Sequence, residues 1–412
     1  MTGPTTTRGQ LLLVAGLTTA AALFLAYVPL HRDWFDLGVY YGAVGQWLHD
    51  GHIYDFTTPG ADGAEYGFTY PPFAALCMLP MTLLSWPEAV GVSMLLNVTA
   101  SAVVLTWLIG PVVRRQGWNM WFALTVAAVL FSLLEPVRDT FSFGQVNLLL
   151  LVLALLDARL LATGHGRFAG FGTGLAAAIK LTPAIFIVYL VVTRRWRAAA
   201  VATATAVGAT LLAVCAAPGA SRVYWTEALW DTDRIGVLSY VSNQSWEGVL
   251  ARLVAPVEPS GAVWAAGVLA LLAVWAYRVR QAAAVGDEPA GYALTGIAAC
   301  LVSPITWVHH LVWLIPALIV LAESGLRPDA PPQRRRTLLR SAAVIYVILC
   351  SSLVWLWRFD ATGVTGFLGS NAYVWICLGL LLALPLREAA PGTAPAPAPA
   401  PRSAPTGRPA TG

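Results

Sequence analysis

Apolar stretches of 13 to 25 residues follow one another along this chain, separated by short connections rich in arginine. That recurrence constrains the fold more than any motif does. A hydrocarbon core of about 30 Å calls for roughly 20 apolar residues per spanning helix. Inside such a core, backbone polar groups must be satisfied without water. Charged residues make up only 11% of the 412-residue chain and hydrophobic ones 58%, with a mean hydropathy of +0.67. Soluble domains carry about 25% charged residues, so the sequence specifies an all-α polytopic membrane protein. The first run follows a single arginine, Arg8, and lacks a small-x-small cleavage site. It is therefore expected to remain as a helix rather than be removed as a signal peptide. The five cysteines are scattered, with neither a CxxC pair nor a histidine spacing that suggests a metal site.

Charge placement sets the expected topology. The chain has 24 arginines and one lysine. Clusters recur at Arg114/Arg115, Arg159/Arg167, Arg194/Arg195/Arg197, Arg278/Arg280, Arg327 with Arg334–Arg336 and Arg340, and Arg387. Short cytoplasmic loops collect arginine and lysine. Residues 31–85, 135–145, 218–259 and 358–370 hold two thirds of the acidic residues and only six arginines, so they are expected on the opposite side. Keeping every cluster inside requires twelve segments: 11–30, 86–110, 119–134, 146–162, 168–180, 183–194, 197–217, 260–280, 289–302, 306–322, 337–357 and 371–386. Both termini are then cytoplasmic, and 71–84 is expected as a horizontal or re-entrant helix on the outer side. Residues 1–388 form one membrane domain, in which 31–85 is a periplasmic loop with horizontal helices. The Pro/Ala-rich tail 389–412 is expected to be disordered and cytoplasmic.

Two pairs of these segments are too short to cross separately at about 1.5 Å per residue. Each turns at an irregular stretch, "IKLTPAIF" in one and "LVSPITWVHH" in the other. Irregular backbone at membrane depth is tolerated where it lines a cavity, so both turns are candidate site positions. The lone lysine, Lys180, lies at the first. An intramembrane cation is costly and by default has an anionic partner; as a compact point charge it suits a phosphate. A snorkelling lysine is the bland alternative. His309 and His310 lie at the second turn and face different directions. The stretch after the first helix, "WFDLGVYYGAVGQWLHDGHIYDF", supplies Asp36 beside Tyr40 and other aromatic residues. Such rings are common interfacial anchors, but they also pack against sugar rings. A carboxylate among them suits a general base for an acceptor hydroxyl. Tyr70 before two prolines, Glu135, Arg138, Gln145 and Asn147 in 135–147, Arg234, and Asn243, Gln244 and Trp246 in "YVSNQSWEG" are expected on the same side. Their acidic, amide and aromatic groups suit a polyol. No P-loop, DxD motif or dinucleotide fingerprint is present; "GFGTGL" sits inside an apolar segment, where small residues favour close helix packing.

The motifs "FDLGVYYGAVGQWLHDGHIYD", "FTYPPFAAL", "FGQVNLLLL", "IKLTPAIF", "NQSWEG" and "SPITWVHH", in this order, resemble glycosyltransferase family 87. The resemblance spans about residues 10–385. It implies a GT-C membrane fold and a polyprenyl-phosphate-mannose-dependent α-1,2-mannosyltransferase in the plasma membrane, acting on phosphatidylinositol mannosides. Asp36 is the implied catalytic base. Lys180, His309 and His310, with Arg138 or Arg234, are the implied surroundings of the donor phosphate. Tyr40, Tyr70, Glu135, Gln145, Asn147, Asn243, Gln244 and Trp246 are expected to meet sugar or acceptor. Many relatives carry an acidic residue before the histidine pair, where this chain has Val308. No cofactor or metal is expected, because fixed cations take the metal's place, and no nucleic acid is expected as a partner. Relatives with the same motifs act on lipomannan or transfer arabinofuranose, which are alternative activities. A lipid-linked-sugar transporter would also use broken helices, but no internal repeat is visible and the polar residues gather on one side.

Overall fold

The computed structural model describes residues 6–28, 33–60, 65–231 and 236–387. The expected tail and Arg234 lie outside the described residues. In chain order the helices begin with α1 (Thr7–Tyr27), α2 (Phe35–Asp50), α3 (Pro72–Met78), α4 (Trp86–Gln116), α5 (Met120–Leu133) and α6 (Glu135–Phe143). They continue with α7 (Asn147–Ala162), α8 (Phe171–Ile179), α9 (Ile185–Val192), α10 (Trp196–Ala216), α11 (Pro218–Val223) and α12 (Trp246–Val254). The last six are α13 (Gly261–Ala284), α14 (Glu288–Val302), α15 (Ile315–Leu326), α16 (Pro332–Cys350), α17 (Gly363–Ser370) and α18 (Ala372–Ala383). Helices occupy all the stretches expected to be apolar segments. Five are long and apolar enough to cross a membrane, or up to seven if each bent pair is one span. One departure from an all-helical chain is a small antiparallel ribbon, β1 (Thr57–Pro59) on β2 (Glu65–Gly67), with Thr58 opposite Tyr66.

Local chemistry explains the breaks. Pro183 has no N–H to give the Ile179 carbonyl and its ring would clash there, and α8 ends as expected: Lys180 is extended (φ −143°, ψ 131°) and a 3₁₀ turn, Thr182–Ala184, leads into α9. The stretch 135–145, expected as an outer loop, is instead the helix α6, bent by 72° from α5. It starts at Glu135-Pro136, with proline in the first turn where its missing N–H costs nothing. Burial of the helix is nearly complete, charged residues included. The break in "LVSPITWVHH" leads from α14 through extended residues into a 3₁₀ turn, Val308–Leu314, and then α15.

One end of the bundle is tied by ion pairs. Arg115 meets Glu323 at 2.5 Å, Arg195 meets Glu288, and Arg387 reaches Asp287 at 3.7 Å and Glu323 at 4.0 Å. In the interior, α8 runs against α7 and α10 with glycine at the contacts. A β-carbon on Gly172 would lie 2.2 Å from the Leu153 carbonyl oxygen, and one on Gly174 would lie 2.3 Å from that of Ala202. The fully buried Asp157 carboxylate accepts the Thr173 N–H at 2.7 Å and the Gly172 N–H at 3.4 Å, satisfying orphan donors at the start of α8. Since the clash at Gly172 is with backbone, Gly172→Ala is expected to destabilise the protein by about 1–3 kcal/mol. A lower Tm of the detergent-solubilised variant checks this, with Gly208→Ala, where nothing lies near the added carbon, as the control.

Candidate active site

The site forms where α2, α6 and the two helix breaks converge. Asp36 lies in the first turn of α2, and its position is fixed from α6. The Trp34 backbone N–H donates to the Ser142 carbonyl at 3.0 Å, and Trp34 itself takes a left-handed conformation (φ 50°) that a non-glycine residue holds only under constraint. Gly144 closes α6 at φ +70°, and a β-carbon there would sit 2.6 Å from Leu37 Cβ. Glycine at that cap lets α2 approach and brings Gln145 beside Asp36.

A chain of hydrogen bonds then runs across the site. Gln145 Nε2 donates to Asp36 Oδ2 at 2.7 Å, and Gln145 Oε1 accepts from the Tyr70 hydroxyl at 3.0 Å. Tyr40 donates to the Tyr70 hydroxyl at 2.9 Å, and Lys180 Nζ donates to the same oxygen at 3.2 Å. Lys180 also donates to Asn147 Oδ1 at 3.1 Å and lies 2.9 Å from His310 Nε2. Tyr54 supports Tyr70 by donating to its carbonyl at 2.8 Å. Burial pushes the Tyr40 and Tyr70 hydroxyls up from their ordinary range, so both remain protonated donors.

The His310 tautomer follows from its partners. The Trp307 backbone N–H donates to His310 Nδ1 at 3.1 Å, so the neutral ring carries its proton on Nε2, facing Lys180. An ammonium and an N–H donor this close repel unless one proton is lost or an anion beside them accepts from both. The pair can present two donors to one anionic oxygen. Val308, where an acidic residue was noted in relatives, is fully buried; the Trp307 backbone N–H orients the histidine instead.

Two cavities meet at Asp36. The larger, about 370 Å³, is lined by Tyr40, Tyr70, Gln145, Lys180 and His310, with an apolar wall that includes Leu181, Ile185 and Val302. The smaller, about 130 Å³, is lined by His309, Ser242 and the rings of Tyr240, Trp307 and Trp355, with Arg358. The histidine pair therefore divides, one ring to each cavity, at 84° to one another.

Several expected site residues line neither cavity. Asn147 acts through Lys180 and by donating to the His309 carbonyl at 3.3 Å. Asn243 and Gln244, both fully buried, hold the break in the chain rather than a sugar. Asn243 Oδ1 accepts from the Thr306 N–H at 2.9 Å and its Nδ2 donates to Pro304 at 3.2 Å, while the Gln244 N–H donates to Thr306 at 2.7 Å. Trp246 packs its indole on Gly267 of α13. Arg138 donates to the Cys350 carbonyl and Ser352 Oγ, each at 3.0 Å, away from the Lys180–His310 pair. Glu135 accepts from Trp355 and Tyr373. Sequence reasoning missed Trp355 and Arg358. Both sit in "LVWLWR", which reads as the apolar end of a segment; Trp307 had only its position beside the histidines as a signal.

Comparison with known proteins identifies the family. The sequence profile of glycosyltransferase family 87 matches residues 68–304, more than half of the chain. A polyprenol-phosphate-mannose-dependent α-(1-2)-phosphatidylinositol mannoside mannosyltransferase of Mycobacterium tuberculosis is 32% identical over 383 residues, covering 86% of this chain and 85% of that protein. Its namesake from Mycolicibacterium smegmatis is 35% identical over 339 residues, 77% of this chain and 76% of the relative. A polyprenol-phosphate-mannose-dependent α-(1-2)-phosphatidylinositol pentamannoside mannosyltransferase of the same species is 35% identical over 326 residues, again 77% and 76%. No solved structure gives a significant match. The chain belongs to glycosyltransferase family 87.

Burial raises the Asp36 carboxyl from its ordinary value to about 6, opposed by the Gln145 hydrogen bond and the charge of Lys180. A carboxylate acting as general base must be ionised, so a reaction that uses Asp36 in that way should run fully above that value and fall as pH drops through about 6. Gln145→Leu removes the donor that favours the carboxylate and should move the acid limb upward by about one pH unit, since a hydrogen bond to a charged group contributes roughly 1.5 kcal/mol. Rate profiles between pH 4.5 and 8.5 check both statements.

Proposed function

We propose that this protein transfers mannose from polyprenyl-phosphate-mannose to a phosphatidylinositol mannoside, forming an α-1,2 linkage by a single displacement with inversion. One observation carries the reading: Asp36 is common to both cavities, and the larger of them holds the Lys180–His310 pair. The relatives' shared donor and acceptor support it. The donor phosphate lies beside Lys180 and His310, where one oxygen can accept from both, and its lipid follows the apolar wall of Leu181, Ile185 and Val302. Asp36 removes the proton from the acceptor 2-hydroxyl as that oxygen attacks the anomeric carbon on the face opposite phosphate. Glycosyl transfer proceeds through an oxocarbenium-like transition state, and negative charge grows on the departing polyprenyl phosphate. Lys180 and the His310 Nε2–H stabilise that charge where it develops. Gln145 holds Asp36 in position and favours its ionised form.

The cavities face the periplasm in this reading, and the end tied by Arg115, Arg195 and Arg387 faces the cytoplasm together with both termini. The twelve segments act as a GT-C helical domain. The loop 31–85, with α2, α3 and the ribbon, forms a cap on its outer face.

Radiolabelled polyprenyl-phosphate-mannose and purified phosphatidylinositol mannosides test the chemistry. Wild-type protein should transfer the label. Asp36→Asn should lose roughly 10²–10⁴-fold in rate while still binding polyprenyl phosphate. Absence of wild-type transfer, with activity appearing on decaprenyl-phosphate-arabinose, would move the function to arabinan synthesis. For orientation, single cysteines at Thr58 and Arg335 should react with an impermeant maleimide from opposite sides of intact cells and inverted vesicles; reaction of both from one side would overturn the topology.

A further inference from the structure

The geometry points to the smaller cavity as the binding site for the acceptor's terminal sugar, with Trp355 as its aromatic platform and Glu135 as the residue that positions Trp355. The inference rests on the reading of Asp36 as base. The cavity's volume of about 130 Å³ is on the order of ten times what one ordered water needs, which suits a single sugar ring and not a lipid chain. Aromatic rings dominate its wall, and three of them pack on one another. Tyr240 meets Trp307 edge-on at 6.2 Å and Trp355 edge-on at 5.9 Å, and the Arg358 guanidinium stands 6.0 Å from the ring centres of both Tyr240 and Trp355. A ring-lined pocket with a few polar groups is the usual form of a small-ligand site.

A second, independent observation marks a ligand. His309 is only 5% exposed, and its Nε2, inside the protein, has no hydrogen-bond partner among the described residues. Buried polar atoms are nearly always paired, and a sugar hydroxyl in this cavity supplies the missing partner. The base is already in place, because Asp36 lines the same cavity.

Glu135 makes the platform rigid. Its carboxylate is 2% exposed; it accepts from Trp355 Nε1 at 2.5 Å and from the Tyr373 hydroxyl. Next to it, Arg138 donates to Cys350 and Ser352 at the start of the 3₁₀ turn Leu353–Trp357, where Ser352 is left-handed (φ 55°). A buried carboxylate is costly unless well hydrogen-bonded. Here both oxygens are occupied, and one of them fixes the plane of the indole that faces the sugar.

Initial rates with separately varied donor and acceptor test this. The acceptors are a phosphatidylinositol mannoside and octyl α-mannoside, which keeps the sugar and drops the inositol phosphate. Wild-type transfer must first be seen; its absence would defeat the underlying reading, not this one. With transfer present, Trp355→Ala should raise acceptor KM at least tenfold for both acceptors and leave donor KM within twofold. Trp355→Phe and Glu135→Leu should each raise acceptor KM several-fold, and the double variant should be no worse than Trp355→Phe. Glu135→Gln, which still offers an oxygen to the indole, should stay within threefold of wild type. Unchanged acceptor KM in Trp355→Ala, or a parallel rise in donor KM, would overturn the inference. If Glu135→Leu does not purify as a monodisperse protein, the Trp355 variants and Glu135→Gln decide alone.

Discussion

The nine-residue helix α6 is the part on which the rest of this structure leans. It turns 72° from the helix before it and buries a carboxylate, a guanidinium and a second carboxylate. Each anchored group reaches a different neighbour. The Ser142 carbonyl at its far end receives Trp34 and so sets the start of α2; Gly144 admits Leu37; Glu135 and Arg138 hold the turn that carries Trp355. A polar helix of this kind is expensive to bury, and hydrophobic packing alone would have been cheaper. It ties the two sides of the smaller cavity together, Asp36 on one side and Trp355 on the other.

The larger cavity is governed by a single continuous set of hydrogen bonds from Asp36 through Gln145 and Tyr70 to Lys180, with His310 beside the lysine. The amide of Gln145 uses its nitrogen for the carboxylate and its oxygen for the phenol, so neither end can turn without giving up a partner. Asp36 and Lys180 are thereby held at one fixed separation. That is the electrostatic preorganisation that makes charge stabilisation effective without reorganisation during reaction.

Much of this was legible in the sequence, and the rest was hidden for definite reasons. Lys180 and the histidine pair stood out because a lone lysine and adjacent histidines beside proline-containing breaks contradict an apolar setting. Asp36 stood out as a carboxylate among aromatic rings. The stretch 135–145 has the polar composition of an outer connection; only its tertiary partners make Glu135–Phe143 a buried helix. Asn243 and Gln244 looked like sugar ligands, since composition cannot separate an amide that binds a substrate from one that binds backbone. Trp355 gave no signal, because a tryptophan in "LVWLWR" looks like any other apolar residue until Glu135 is seen to hold its nitrogen. The division of His309 and His310 between cavities depends on where the Trp307 N–H points, which no local pattern encodes.

The stapled break at 303–307 has a mechanical consequence. Five hydrogen bonds converge on it: two to the Pro304 carbonyl, one to Thr306 O, one from Thr306 N–H and one from its hydroxyl to Cys300. Asn243, Gln244, Ser245 and Thr306 are all buried, so losing one bond leaves a buried polar group unpaired and the break resists opening one bond at a time. A hinge in a carrier must bend cheaply; this one resists bending cooperatively. The irregular backbone therefore behaves as a rigid bracket, and substrates must come to the bracket rather than be carried past it.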